Sequence, residues 1–194
     1  MFFDNDTYKQ ISKASSTIIS LTEMKLYLKQ DESSDDALIT ALITAAVKTA
    51  EKVMNRDLLS TVYENYRSDI DSDLTLRRAK FLSVSGIQYM KDGAYLTVDP
   101  SDYNVASNGI YGKIWEIEMP DSYDDHPEAI KIVFTAGFGA SGTDIPEDIK
   151  TAIKAHVSYM YENRGDCSDA ECSLPITSKI IYQNYAVLDV SGLV

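Results

Sequence analysis

Cysteine is nearly absent from the 194-residue chain: Cys167 and Cys172 are the two it has. Two thiols cannot build a disulfide framework, so the expectation is a reducing compartment with both thiols free. Positive charge is also scarce. Eighteen Lys and Arg face 30 Asp and Glu, a net charge of −12. A grip on nucleic-acid phosphates needs a basic stripe, and an anionic membrane surface attracts polybasic segments; neither is present. No apolar run approaches the roughly 18 residues of a membrane-spanning helix. The opening Met1-Phe2-Phe3-Asp4-Asn5-Asp6 has no basic segment leading into an apolar one, so it does not read as a signal peptide. With two histidines and one tryptophan, the chain is also poor in the commonest general base.

What it does have is 44% hydrophobic residues, enough for a real core, and 13 tyrosines against five phenylalanines. Tyrosine suits surfaces apolar on one side and wet on the other, subunit interfaces included, but it also favours strands. Both readings are open.

The pattern along the chain is helix, then strands, then helix. Residues 1–16 are polar and aperiodic and read as an N-terminal arm. Thr22 can cap a short helix over 23–29. Ser33 with Asp36 resembles a capping box for a long helix over 35–55. Its apolar stripe runs from Leu38 and Ile39 to Val53 and Met54, and Arg56 follows its end. From about residue 60 the period shortens to two. Five or six short strands are expected up to about 140, with turns at Asp92-Gly93 and Asn108-Gly109. Pro146 then opens a second long helix, reaching Arg164, with Ile149, Ala152, Ile153, His156, Val157 and Met160 as its stripe. Residues 165–173 read as an acidic linker and 174–194 as an apolar tail. The expected class is α+β. Two long helices and a short one form an antiparallel-type helical core, with the β-rich stretch inserted between the long helices of a single domain over 17–164.

Several strings imitate reactive motifs. Gly137-Phe138-Gly139-Ala140-Ser141-Gly142 has the dinucleotide-binding spacing between a strand and a helix. Asp144, Glu147 and Asp148 would repel a pyrophosphate there, and no second strand ending in an acid follows, so it reads as a flexible glycine turn. Ser141 lacks the final glycine of a nucleophile elbow. Asp69-Ile70-Asp71-Ser72-Asp73 begins like a calcium loop but has Leu74 and Lys80 where Gly and Glu are required. His156 reads as a core or interface histidine, and His126 as a solvated one. No catalytic residue, cofactor site or metal site follows from the residues.

Two separated blocks resemble the small head–tail connector (adaptor) proteins of tailed bacteriophages and prophages. The first is Leu21-Thr22-Glu23-Met24-Lys25-Leu26-Tyr27-Leu28, an acidic loop, then Asp36-Ala37-Leu38-Ile39, closing with Ala50-Glu51-Lys52-Val53-Met54-Asn55-Arg56. The second runs from Ile130 to Phe134 through Thr135-Ala136-Gly137-Phe138-Gly139 and Ile145-Pro146-Glu147-Asp148 to Tyr161-Glu162-Asn163-Arg164. The motif positions are Asp36, Ala37, Leu38, Arg56, Gly137, Pro146, Tyr161, Asn163 and Arg164.

The resemblance implies a structural virion protein without cofactor or catalysis. It would form a ring, typically of twelve, beneath the portal, close the DNA-filled head and dock a tail-side completion protein. DNA would pass through the ring without specific binding. The expected location is the virion head–tail junction, reached from the bacterial host cytoplasm during assembly. Another virion component, such as a tail-completion or minor capsid protein, is the alternative; a hydrolase or nucleotide-binding enzyme is less favoured. The apolar tail is expected to fold back onto its own helices or to reach a neighbouring subunit or the portal; within the ring reading the intersubunit contact is favoured, and deletion of 174–194 is expected to leave a folded but more monomeric protein.

Overall fold

The computed structural model describes residues 7–71, 73–163 and 174–187. The fold is mixed α+β, with four helices and two antiparallel sheets among the described residues. The chain forms two compact units. One comprises residues 1–14 and 59–138, the other 15–58 and 139–194.

The first unit is β-rich. Its larger sheet has the order β1 (Thr7–Lys13), β2 (Thr61–Arg67), β8 (Ile130–Ala136), β4 (Phe81–Lys91), β5 (Ala94–Thr97). The smaller sheet runs β3 (Asp73–Leu76), β7 (Gly112–Trp115), β6 (Asn104–Ser107). In β8 the alternate residues Ile130, Ile132, Phe134 and Ala136 are buried, the period-two signature of a strand with one face on a core. Phe134 stacks on Tyr63 at 5.7 Å and meets Tyr8 edge-on at 6.1 Å. Asp92-Gly93 makes the expected two-residue turn between β4 and β5, with φ of +53° and +76°.

No regular element is expected before residue 17, yet 7–13 form β1, an edge strand paired to β2. Its register shifts between Gln10 and Ser12, so a bulge at Ile11 breaks the polar–apolar alternation that would have marked it.

The second unit is helical: α1 (Leu21–Leu28), α2 (Asp36–Met54), α3 (Glu147–Glu162) and α4 (Ile176–Asn184). α2 packs on α3, and their buried residues include Ile39, Ala46, Ala50, Ile149, Ile153 and Val157. The caps differ from those read in the sequence. α1 is capped by Ser20, whose hydroxyl accepts the Glu23 amide at 3.1 Å, two residues earlier than Thr22. No capping box forms at Ser33, because Asp35 is the N-cap and makes no side-chain cap bond. Asp36 instead takes the Lys25 ammonium at 2.7 Å. The Asp36 carboxylate thus serves a tertiary ion pair in place of the local cap. α2 ends as expected at Asn55, in the left-handed region at φ +50°, with Arg56 N–H returning to the Glu51 carbonyl. Pro146 is the N-cap of α3 rather than its first helical residue.

Over residues 176–187 the tail folds back onto its own helices. α4 docks on α3 and α2 of its own chain. Tyr182 and Ser178 are fully buried, the Ser178 hydroxyl donates to the Ala152 carbonyl at 2.8 Å, and Val187 N–H donates to the Met54 carbonyl at 3.0 Å. The physical reason is the i, i+4 pair Ser178 and Tyr182, which gives α4 an inward face matching α3. Arg164, the 165–173 linker with both cysteines, and residues 188–194 lie outside the described residues.

Candidate functional site

α3 organises the helical unit. At about 100° per residue, Asp148, Ala152 and His156 share one side of it, while Lys150, Lys154 and Tyr161 share the opposite side. α4 takes the first side: Ser178 bonds Ala152, Tyr185 donates to Asp148 at 2.9 Å, and Tyr182 meets His156 edge-on at 6.4 Å. α1 takes the second: Glu23 pairs with Lys154 at 2.6 Å, and Gln30, just past the helix, reaches the Tyr161 hydroxyl. That hydroxyl donates in turn to Asp35 at 2.5 Å. α1 and α4 therefore flank α3 on opposite sides.

Each flank carries outward apolar side chains. Met24 is the buried residue of α1, and Leu26 lies about 160° around the helix from it; Leu26 is 81% exposed and Tyr27 45%. On α4, Ile176 and Ile180 lie the same way opposite Ser178 and Tyr182, and are 74% and 52% exposed. These four are the exposed large hydrophobics among the described residues of this unit. The sequence reading missed them as surface residues. The available signal was Pro175 followed by Ile176 and Ile180 at helical spacing.

Glu23 is held below the usual carboxylate range, first by its bond to Lys154, with burial opposing. Asp69, in the β unit, is lowered by the Tyr123 hydroxyl, and that phenol is pushed up to about 12. Folded-state values below the unfolded ones mean that this stabilisation is present above the unfolded pKa and is lost as pH falls through the folded one. A fall in melting temperature is expected below pH ~4. In Asp69→Asn the part of it due to Asp69 should be smaller, by thermal denaturation across pH.

Tyrosine has a third use beyond the two anticipated. Tyr66, Tyr123, Tyr161 and Tyr185 donate to Glu64, Asp69, Asp35 and Asp148 at 2.5–2.9 Å. In a chain short of cations, phenols supply donors for carboxylates.

The motif-like strings resolve into structural parts. Asp69 accepts from Tyr123 and from the Ile70 amide, and Asp73 pairs with Lys113 at 2.8 Å. His156 is 2% exposed, while His126 is exposed and accepts the Glu128 amide. The glycine string is a set of close approaches rather than a loose turn. A Cβ at Gly139 would lie 2.2 Å from the Asp144 carboxyl, and one at Gly142 2.2 Å from the Thr17 carbonyl. Ser141 and Asp144 cap the 3₁₀ turn 142–144 reciprocally. In the cationic segment 77–80, Arg78 lies over the rings of Tyr8 and Tyr63 at 5.2 and 5.3 Å, and Lys80 over Phe138 at 5.6 Å. Two of its three cations thus serve the chain's own packing.

The structure brings some of the motif positions together. Asp36 and Tyr161 meet through α1 at one end of the α2–α3 pair. Ala37 is exposed and Leu38 half-buried on the first turn of α2. Arg56 and Pro146 stand at the other end of α2 and at the start of α3. Asn163 caps α3, its side-chain amide donating to the Tyr159 carbonyl at 2.8 Å. Gly137 belongs to the β unit, where its N–H donates to the Lys80 carbonyl at 2.7 Å.

No helix among the described residues is long and apolar enough to cross a membrane. The profile of the head completion protein family matches residues 17–170, so the chain belongs to that family. No curated protein matches it. Among solved structures, it is similar to a chain from the neck of an empty GTA particle computed with C6 symmetry: TM-score 0.75, 18% identity, 96% of this chain and 98% of that one. A chain from the virion of a native gene transfer agent particle gives TM-score 0.74 and 20% identity over the same shares. A chain from the native GTA neck computed with C12 symmetry gives 0.72 and 19%, again over 96% and 98%.

Proposed function

We propose that this head completion protein works as a ring at the head–tail junction, beneath the portal. There it would close the DNA-filled head and present a docking surface for a tail-side completion protein. The observation that carries the reading is the near-complete fold likeness to neck chains arranged with six-fold and twelve-fold symmetry. The β-rich stretch 59–138 is read as an insertion between α2 and α3 of a helical connector core, with α4 as the tail's described helix. Assembly would begin in the host cytoplasm. Of the motif positions, Asp36, Gly137, Tyr161 and Asn163 are read as holding the scaffold, through the Lys25 pair, the Lys80 carbonyl, Asp35 and the α3 cap.

The charge supports the channel part of the reading. A ring multiplies a subunit charge of −12, and a negative lumen repels the DNA backbone and lets it slide. The isolated protein should therefore leave duplex DNA unshifted in a gel at ~150 mM salt; micromolar binding there would contradict it. Negative-stain images of concentrated protein should contain closed rings. Compact two-fold dimers alone, or monomers at every concentration, would oppose the ring.

A further inference from the structure

A ring closed by rotation needs a head-to-tail contact, in which two different patches of one subunit meet on successive copies. This requirement rests on the ring reading above. The helical unit carries two such patches. Leu26 points away from the core on α1, with Tyr27 about half-exposed beside it, and Ile176 and Ile180 point away from it on α4. The two helices flank opposite sides of α3. Their charged surroundings differ in sign: exposed Lys179 lies between the two isoleucines on α4, while α1 is followed by exposed Lys29 and then by exposed Asp31 and Glu32, net negative. Like would repel like if α1 met α1, since both copies would bring the same two carboxylates together. Bringing α4 to α4 would oppose two lysines in the same way.

We propose that α4 of one copy packs on α1 of the next, with Ile176 and Ile180 against Leu26 and Tyr27 and with Lys179 facing Asp31 and Glu32. α4 then has two roles. Ser178 and Tyr182 hold it to its own α3, and the opposite ridge joins the neighbour.

The test uses full-length protein with Cys167→Ser and Cys172→Ser, to which Leu26→Cys or Ile180→Cys is added. Both sites are exposed, so neither change touches the core. Under mild oxidation at high concentration, each single variant should stay monomeric on a non-reducing gel. An equal mixture should give a disulfide dimer, and the chain carrying both cysteines a ladder of multimers. Dimers from either variant alone would show a face-to-face contact and overturn the proposal. Rings seen in the microscope without a cross-link in the mixture would overturn this contact while leaving the ring intact. Absence of both rings and cross-links would remove the ring reading and this inference together.

Discussion

Removing residues 174–194 should abolish the cooperative unfolding transition of the helical unit, not merely weaken assembly. α4 contributes Tyr182, fully buried against α3, and a buried hydroxyl bond from Ser178 to Ala152. The Tyr182→Ala change alone should cost about 3–5 kcal/mol, the range for deleting a buried aromatic. Domain stabilities are typically about 5–15 kcal/mol, so losing the whole helix should bring the unit close to unfolding. Differential scanning calorimetry of the truncated chain checks this, and a retained sharp transition for the helical unit would show α4 to be dispensable. The conservative change has the opposite sign. The Tyr182 hydroxyl is buried without a hydrogen-bond partner, and burial pushes its pKa upward. Tyr182→Phe removes an unsatisfied polar atom at nearly constant shape, so it should be neutral or stabilising by up to about 1 kcal/mol.

The second large effect belongs to Gly137. Its φ is +134°, and a Cβ there would sit 2.5 Å from the Leu59 carbonyl oxygen, a backbone atom with little freedom to retreat. Gly137→Ala should destabilise the β unit by about 3–5 kcal/mol, combining a forbidden backbone region with a backbone clash. Gly93→Ala is the control. It also has positive φ, +76°, but nothing within 4 Å of the added carbon. That change should cost only about 1–2 kcal/mol, the ordinary left-handed penalty. Equal losses for the two variants in urea denaturation would show that the close approach at Gly137 contributes nothing.

The long helices were legible because their stripes are long and strictly periodic; Ile149, Ala152, Ile153 and Val157 are buried as the spacing requires. The Asp92-Gly93 turn was legible because type I′ geometry demands those residues. β1 was not, since an edge strand with a bulge and two polar-rich faces carries no alternation to read. Ser33 misled for a different reason. Local capping chemistry competed with Lys25, eleven residues away, and the tertiary pair with Asp36 formed instead. The tail was legible only in part, because apolar residues say that something must cover them without saying what. Only the fold shows that α4 splits into an inward face of Ser178 and Tyr182 and an outward face of Ile176 and Ile180. The connector motifs placed the family correctly, but the outward ridges are single side chains whose exposure depends on how the helices roll.

The central claim is that the protein completes a DNA-filled head. Its most direct test is nuclease protection of heads assembled without this chain. Adding purified protein should keep the packaged DNA inside the heads and resistant to nuclease, with a ring visible at the portal vertex. Heads that leak their DNA to the same extent with and without the protein would contradict the account.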